Sequence, residues 1–324
     1  MLNTPTGLLS PKSSAVDNSF KLTIDTSLGA GTTFTLPLPS GETYDFWWDP
    51  GDRSSDIHVT SYNDANITYD YGVAFNGQIS IGTHPGDKCG GWSFNNGGDK
   101  LKITSVDQLG SVGFDTLERA FYGCNNLTSI NAEGSDLTGC ISLNGFARNC
   151  PSLTSLLTSG WVVSDVEDFG GFITNSTALT SLDCSSWDTS SATTFRAFAE
   201  LAINLATLTT SGWGTSNVTD FYAFIRRTDV TELDVTSWDM SNVTGLELFA
   251  ERCRDLTSID TSGWVLSSNP NCYQSFYLCD ALTSYFNPDV WWNYTPAITN
   301  HSYTFYGATS ISNYASIPNE WKGL

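Results

Sequence analysis

The nine residues Leu179-Thr-Ser-Leu-Asp-Cys-Ser-Ser-Trp187 decide the fold, because the chain repeats their pattern in phase. They return as Leu153-Thr-Ser-Leu-Leu-Thr-Ser-Gly-Trp161, as Leu205-Ala-Thr-Leu-Thr-Thr-Ser-Gly-Trp213, as Val230-Thr-Glu-Leu-Asp-Val-Thr-Ser-Trp238 and as Leu256-Thr-Ser-Ile-Asp-Thr-Ser-Gly-Trp264. An aliphatic residue opens each copy, a second follows three places on, and tryptophan closes it. A phenylalanine keeps the same beat outside the nine residues: Phe121, Phe146, Phe172, Phe198, Phe224, Phe249 and Phe276, at gaps of 25, 26, 26, 26, 25 and 27. Three side-chain types in phase over this length make a tandem repeat. A unit that cannot bury its apolar side alone gains a core by stacking on the next, so the expected architecture is a solenoid.

Within a unit the aliphatic opening reads as a strand, followed by a turn rich in Asp, Ser and Asn. A short helical turn is expected next, with aromatic residues three apart on one face, as in Phe195/Phe198 and Phe221/Phe224. Strands stacked at roughly 4.8 Å make about seven repeats into a slab of ~35 Å. The register degrades at both ends: Ser135 stands where the first tryptophan is due, and Trp291 arrives one residue late. Atypical end units are what capping requires. The solenoid is therefore expected over residues 104–324, with Tyr303 to Trp321 as its C-terminal cap.

Ahead of it, residues 19–103 carry short runs of alternating character. Phe20-Lys-Leu-Thr-Ile-Asp25, Thr33-Phe-Thr-Leu36, Ile57-His-Val-Thr60, Tyr69-Asp-Tyr-Gly-Val-Ala-Phe75 and Gln78-Ile-Ser-Ile81 are separated by Gly, Pro, Asn and Asp clusters. That spacing predicts a β-sandwich. Residues 1–18 are rich in Pro, Ser and Thr without periodicity and read as an arm tethered to a neighbouring subunit. The fold class is thus mainly β: an N-terminal sandwich followed by a repeat solenoid with short helical turns.

The chain has 324 residues, with 14 basic against 34 acidic side chains and a net charge of −20. Such a surface repels phosphate backbones and anionic headgroups, which argues against nucleic acid and membrane surfaces as partners. No stretch has the length of a membrane span, so membrane insertion is not expected. The opening Met-Leu-Asn-Thr-Pro-Thr-Gly7 has neither a basic region nor an apolar run of leader type. Together with an extracellular style of composition, this leads to the expectation of a protein released by lysis. Of the eight cysteines, Cys124, Cys150, Cys253 and Cys279 share one repeat position with Ser176, Ala202 and Thr228. A position that takes Cys, Ser, Ala and Thr calls for a small buried side chain, so these cysteines are expected as thiols. Without a C-x-x-C pair and with only His58, His84 and His301, no metal centre is expected, and no cofactor.

The repeat resembles the BspA-type leucine-rich repeat, also known as the DUF285 surface-protein repeat. Phe249-Ala-Glu-Arg-Cys-Arg-Asp-Leu-Thr-Ser-Ile-Asp-Thr-Ser-Gly-Trp264 and Leu233-Asp-Val-Thr-Ser-Trp-Asp-Met-Ser-Asn-Val-Thr244 carry the likeness, which covers roughly residues 117–310. Residues 19–103 resemble the PKD-like modules that precede such repeats. Their Trp-Gly-Asp-Gly mark is altered here to Trp48-Asp-Pro-Gly-Asp52. The resemblance implies a surface adhesion or interaction protein without catalytic residues, of a kind found on bacterial surfaces and in phage virions. The expected function is a non-enzymatic structural and adhesion component of a virion surface, such as a tail, fibre or capsid-decorating protein. It would be held by other virion proteins through the arm and sandwich, and present the solenoid to a host-surface glycan or protein. A bacterial cell-surface adhesin is the first alternative and a glycan-directed enzyme the second.

The phase of the repeat tryptophans points them into the core rather than into an aromatic ladder for sugars. Binding is expected on the exposed strand rows between the inward positions. The candidates are Ser155, Ser181, Asp183, Thr207, Thr209, Glu232, Asp234, Ser258 and Asp260, in rows that run on to Ser284 and Phe286. Hydroxyls in register suit a glycan or a protein partner, and equally a soluble sheet. Asp49, Asp52 and Asp56 in a glycine-containing loop are candidate calcium ligands. The chain has no H-E-x-x-H, G-x-S-x-G or P-loop, and no pair of carboxylates stands out for glycoside hydrolysis. The sequons Asn217-Val-Thr219 and Asn242-Val-Thr244 fall in phase with the repeat and are expected to tie its turns.

Overall fold

The computed structural model describes residues 17–293 and 298–324. The expected arm, residues 1–18, lies outside the described residues apart from Asp17 and Asn18. The chain is mainly β. Its strands are β1 (Phe20–Asp25), β2 (Thr33–Thr35), β3 (Phe46–Asp49), β4 (Ile57–Val59), β5 (Thr68–Asp70), β6 (Asn76–Gly82), β7 (Ile103–Gln108), β8 (Ser129–Asn131), β9 (Ser155–Leu157), β10 (Ser181–Asp183), β11 (Thr207–Thr209), β12 (Glu232–Leu233) and β13 (Ser258–Ile259). The single α-helix among the described residues, α1 (Asn319–Lys322), is one turn long.

β1 organises the N-terminal part. Its period-two alternation buries Phe20, Leu22 and Ile24 and leaves Lys21, Thr23 and Asp25 on the other face. It pairs antiparallel with β6 (Leu22 opposite Ile79) and with β7 (Leu22 opposite Val106). The resulting sheet runs β4-β3-β6-β1-β7-β8-β9, so the N-terminal strands and the first stacked strands share one hydrogen-bonded layer. The core is equally continuous, with Phe20 edge-on to Trp92 at 4.9 Å and to Phe114 at 5.5 Å. The strand expected over 69–75 stops at Asp70. Gly72 takes a left-handed φ of 68° there, which turns the chain out of the ladder.

From β7 onward the pairing is parallel and advances about one repeat at a time. Ser105 lies opposite Ser129, Ser129 opposite Ser155, Ser181 opposite Thr207, and Glu232 opposite Ser258. Successive coils thus stack in register. At the strand edge a threonine column reinforces the stack: the amide and hydroxyl of Thr257 both donate to the Thr231 carbonyl, and those of Thr283 to the Thr257 carbonyl.

The expected helical turn is replaced by a ribbon of overlapping β-turns. In the coil of Phe195 the amides of Phe198, Glu200 and Ala202 bond three residues back, to Phe195, Ala197 and Ala199. The alternate amides of Phe195, Ala197, Ala199 and Leu201 bond instead to the next coil, at Asp220, Tyr222, Phe224 and Arg226. A helix would spend every amide within its own coil; this ribbon divides them, so half of its donors hold neighbouring coils together. The geometry needs left-handed backbone twice per coil, as at Ala197 (φ 55°) and Leu201 (φ 62°), and again at Ala223 and Arg227. The three-residue spacing of Phe195 and Phe198 comes from this turn, whose ends both face the core.

All the repeat columns are buried. Trp161, Trp187, Trp213, Trp238 and Trp264 are at most 3% exposed, and the phenylalanines of the same coils are fully enclosed. Trp213 stacks on Phe195 at 4.4 Å and on Trp238 at 5.8 Å, so the aromatic rings form a continuous column through the stack. All eight cysteines are buried free thiols. Phe286, which the row pattern places on the exposed face, is also fully buried. It packs on Phe276, Trp291 and Phe305, where the last coil closes against the C-terminal segment.

Candidate functional site

The candidate residues fall on one face of the stack. Ser181, Asp183, Thr207, Glu232, Asp234, Ser258 and Asp260 are exposed, and Ser155 and Thr209 half-exposed. Alternation does this: Leu182, Leu208, Leu233 and Ile259, between them, turn inward and anchor each strand. The acids of the second row have a local task. One carboxylate oxygen of Asp183 accepts the amide of Ser185, that of Asp234 the amide and hydroxyl of Thr236, and that of Asp260 the amide of Ser262. Each is an Asx turn that ends the strand. Hydrogen bonding from Ser262 holds the Asp260 carboxyl below its ordinary range.

Glu232, Asp234, Ser258 and Asp260 come together around a shallow depression of ≈ 490 Å³, beside Ser284 and Tyr285. Tyr285 is 60% exposed and stands at its edge. Ser155, Ser181, Asp183, Thr207 and Thr209 lie further along the same face and outside that depression. Carboxylates and hydroxyls beside an exposed tyrosine can bond polyols or the polar rim of a protein.

The calcium candidates are divided between two places. Asp52 accepts the Tyr69 hydroxyl at 2.7 Å and the Ser54 amide, and these bonds lower its pKa, that from Tyr69 first. Asp49 accepts the Gly51 amide with one oxygen, and Asp49 and Asp56 line a separate cleft. Among the described residues no group of three or more His, Cys, Asp or Glu side chains is placed to hold a metal.

That cleft has a volume of ≈ 1000 Å³ and lies apart from the exposed coil rows. It lies on the solvent face of the N-terminal sheet, beside Trp47. The sequence signal was present in the alternation Phe46-Trp47-Trp48, which sends Phe46 and Trp48 inward and Trp47 outward. Trp47 is 37% exposed and stacks on His58 at 4.4 Å with ring planes 11° apart. His58 is held in turn by Asp45 at 2.6 Å.

The sequons do tie turns. The Asn217 side-chain amide donates to the Ser190 carbonyl of the preceding coil, and that of Asn242 to the Ser216 carbonyl, each at 2.8 Å. Residues 115–207 and 194–319, most of the stacked coils, match the model of the family described as Mycoplasma protein of unknown function, DUF285. The chain belongs to the DUF285 family. No curated protein and no solved structure matches it. The two matched DUF285 spans overlap at 194–207, in the turn ribbon and strand β11, as expected of a unit that recurs without interruption. Strands β1 to β7 and the Trp47 cleft lie outside both DUF285 spans.

Proposed function

We propose that this DUF285 protein is a non-enzymatic surface adhesion and structural protein whose stacked coils face the environment. One observation carries the reading: the same polar strand positions recur coil after coil on one face, above a core of aromatic and aliphatic columns. Such a slab offers an extended contact surface, which suits adhesion better than turnover. We read the stack as a BspA-type leucine-rich-repeat solenoid and residues 19–103 as a PKD-like sandwich. The one-repeat step of the parallel pairs supports the first, and the antiparallel pairs of β1 with β6 and of β2 with β5 support the second.

The setting proposed first is a virion surface, with the N-terminal part contacting other virion proteins and the coils contacting a host glycan or protein. The family description, a Mycoplasma protein, favours a second setting, a bacterial cell surface. Immunogold labelling with antibodies against residues 104–324 separates them. Label on intact particles supports the virion, and label on intact cells supports the cell surface. Label reached only after lysis or permeabilisation overturns surface display altogether. Release of reducing ends from a polysaccharide panel by the purified protein would instead establish the glycan-directed enzyme.

A further inference from the structure

We propose that the cleft beside Trp47 is a saccharide-binding site, with the exposed indole as the platform for a neutral pyranose ring. The proposal rests on the N-terminal sheet alone and is independent of the setting in which the protein is displayed. The cleft is built by three neighbouring strands. Ser80 and Gly82 of β6 form its floor, Trp47 and Asp49 of β3 one wall, and Ser19 and Lys21, before and in β1, the other.

Gly82 is the residue paired with Trp47 across the sheet. A side chain there would point into open space, meeting no atom within 4 Å, so its absence leaves the flank of the indole uncovered. On the opposite strand partner, His58 stacks parallel to the indole and fixes its orientation. His84 closes one end of the cleft, edge-on to Trp47 at 6.4 Å. The ring is thus held rigid with one flank open, which reduces the entropy lost when a ligand stacks on it.

Polar groups surround the platform. Asp56, Ser80 and Thr83 line the cleft and make no side-chain hydrogen bond among the described residues. The Asp49 carboxylate keeps one oxygen beyond its bond to Gly51. A flat π face ringed by carboxylates and hydroxyls fits a ring with apolar C–H on its face and hydroxyls at its edge. Asp17, Asp49 and Asp56 outnumber the single cation Lys21, so phosphates, sulfates and uronic acids are disfavoured. A cationic amine is the competing ligand for an acidic aromatic site. One aromatic wall flanked by two imidazoles makes an open platform rather than a cage for such a cation, which favours the sugar.

The test is affinity electrophoresis of the full chain through gels containing mannan, galactan, β-glucan or soluble chitin derivatives. Retardation in at least one gel is expected, with at least tenfold weaker binding for Trp47→Ala and for Gly82→Val. The second variant keeps the indole and fills the space beside it, and both should melt as the parent does. Glu133→Gln, at an exposed acid outside the cleft, should bind as the parent does. Failure to retard in every gel overturns the site, as does undiminished retardation of both cleft variants. Quenching of the parent's tryptophan fluorescence by choline, lost in Trp47→Ala and without any polysaccharide binding, overturns the sugar assignment.

Discussion

The Cys150 thiol donates to the Phe121 carbonyl of the preceding coil at 3.0 Å. The relationship recurs down the column. Ser176 donates to Ala147 at 2.6 Å, Cys253 to Ile225 at 2.9 Å and Cys279 to Ala250 at 3.0 Å. Where it holds Cys150, Ser176, Cys253 or Cys279, the position does more than fit a small volume: it supplies a donor to a carbonyl of the turn ribbon that is sealed from water. Cys150→Ser should retain most of the stability, whereas Cys150→Val should lose about 1–3 kcal/mol by removing the second donor of a carbonyl that keeps only the Cys124 amide, and by adding bulk. Denaturant midpoints of the two variants check this, and equal losses would sink the donor argument.

Thiol chemistry follows from the same burial. Desolvation pushes the Cys150 thiol up to about 12 and that of Cys253 to about 11, from an ordinary value of 9.0. Folded protein at pH 8 should leave all eight cysteines unmodified by an aromatic disulfide reagent, and denatured protein should titrate eight. Because the folded pKa values are raised, the unfolded chain releases these protons first as pH rises. This part of the stability is complete below pH 9 and declines as pH climbs from about 9 towards 12. A melting temperature that holds steady through that interval would contradict it.

Trp213 is 1% exposed, and its indole N–H donates to the Cys184 carbonyl at 3.1 Å. Trp213→Ala should cost about 3–5 kcal/mol, felt first as faster amide exchange in the adjoining coils. Trp187 is as deeply buried, yet its indole N–H has no partner among the described residues. Trp187→Phe should therefore be the milder of the two Trp→Phe changes, since only at Trp213 is an indole hydrogen bond lost, leaving the Cys184 carbonyl with the Trp187 amide alone. Comparing the two in urea is decisive.

Ala197 sits at φ 55° without being glycine. Left-handed backbone costs a non-glycine residue roughly 1–2 kcal/mol, so Ala197→Gly should be neutral or stabilising despite its greater unfolded-state freedom. Ala197→Val, β-branched at the same φ, should be destabilising by about 1–2 kcal/mol. Thermal midpoints that rank Val above Gly would refute the assigned turn.

Glu251 is the most deeply buried acid of the ion pairs, with the Arg226 and Arg252 Nε atoms each at 2.7 Å and Arg227 Nε at 3.6 Å. Arg226 also reaches Glu200 at 2.8 Å, joining three coils through one guanidinium. Glu251→Gln should cost about 2–3 kcal/mol by leaving the guanidinium groups undercompensated, less than a fully buried pair because the arginines are partly solvated. A double-mutant cycle with Arg226→Met should show coupling, and additivity would place the pair among ordinary surface contacts.

The repeat period by itself determined the stacked coils, the inward Leu, Phe and Trp columns, and the small column that holds Cys150. These are statements about burial, and burial repeats with sequence because each coil meets the same neighbour on either side. The turn-tying role of Asn242 was legible for a similar reason, since its partner Ser216 lies one repeat back, whereas Asp234, read as a binding candidate, ends its own strand through Thr236. Tertiary structure decided what depends on partners remote in sequence. Phe195 and Phe198 suit a helix by spacing, but the neighbouring coil takes half of the amides a helix would need. Phe286 continues an exposed row by register, yet the C-terminal segment around Phe305 covers it. Trp47 becomes a platform only where Gly82, far along the chain, is paired beside it and leaves its flank open. A periodic sequence records the environment that every coil shares; a cleft is made once, by strands that pair across the chain, and only the folded sheet brings its residues together.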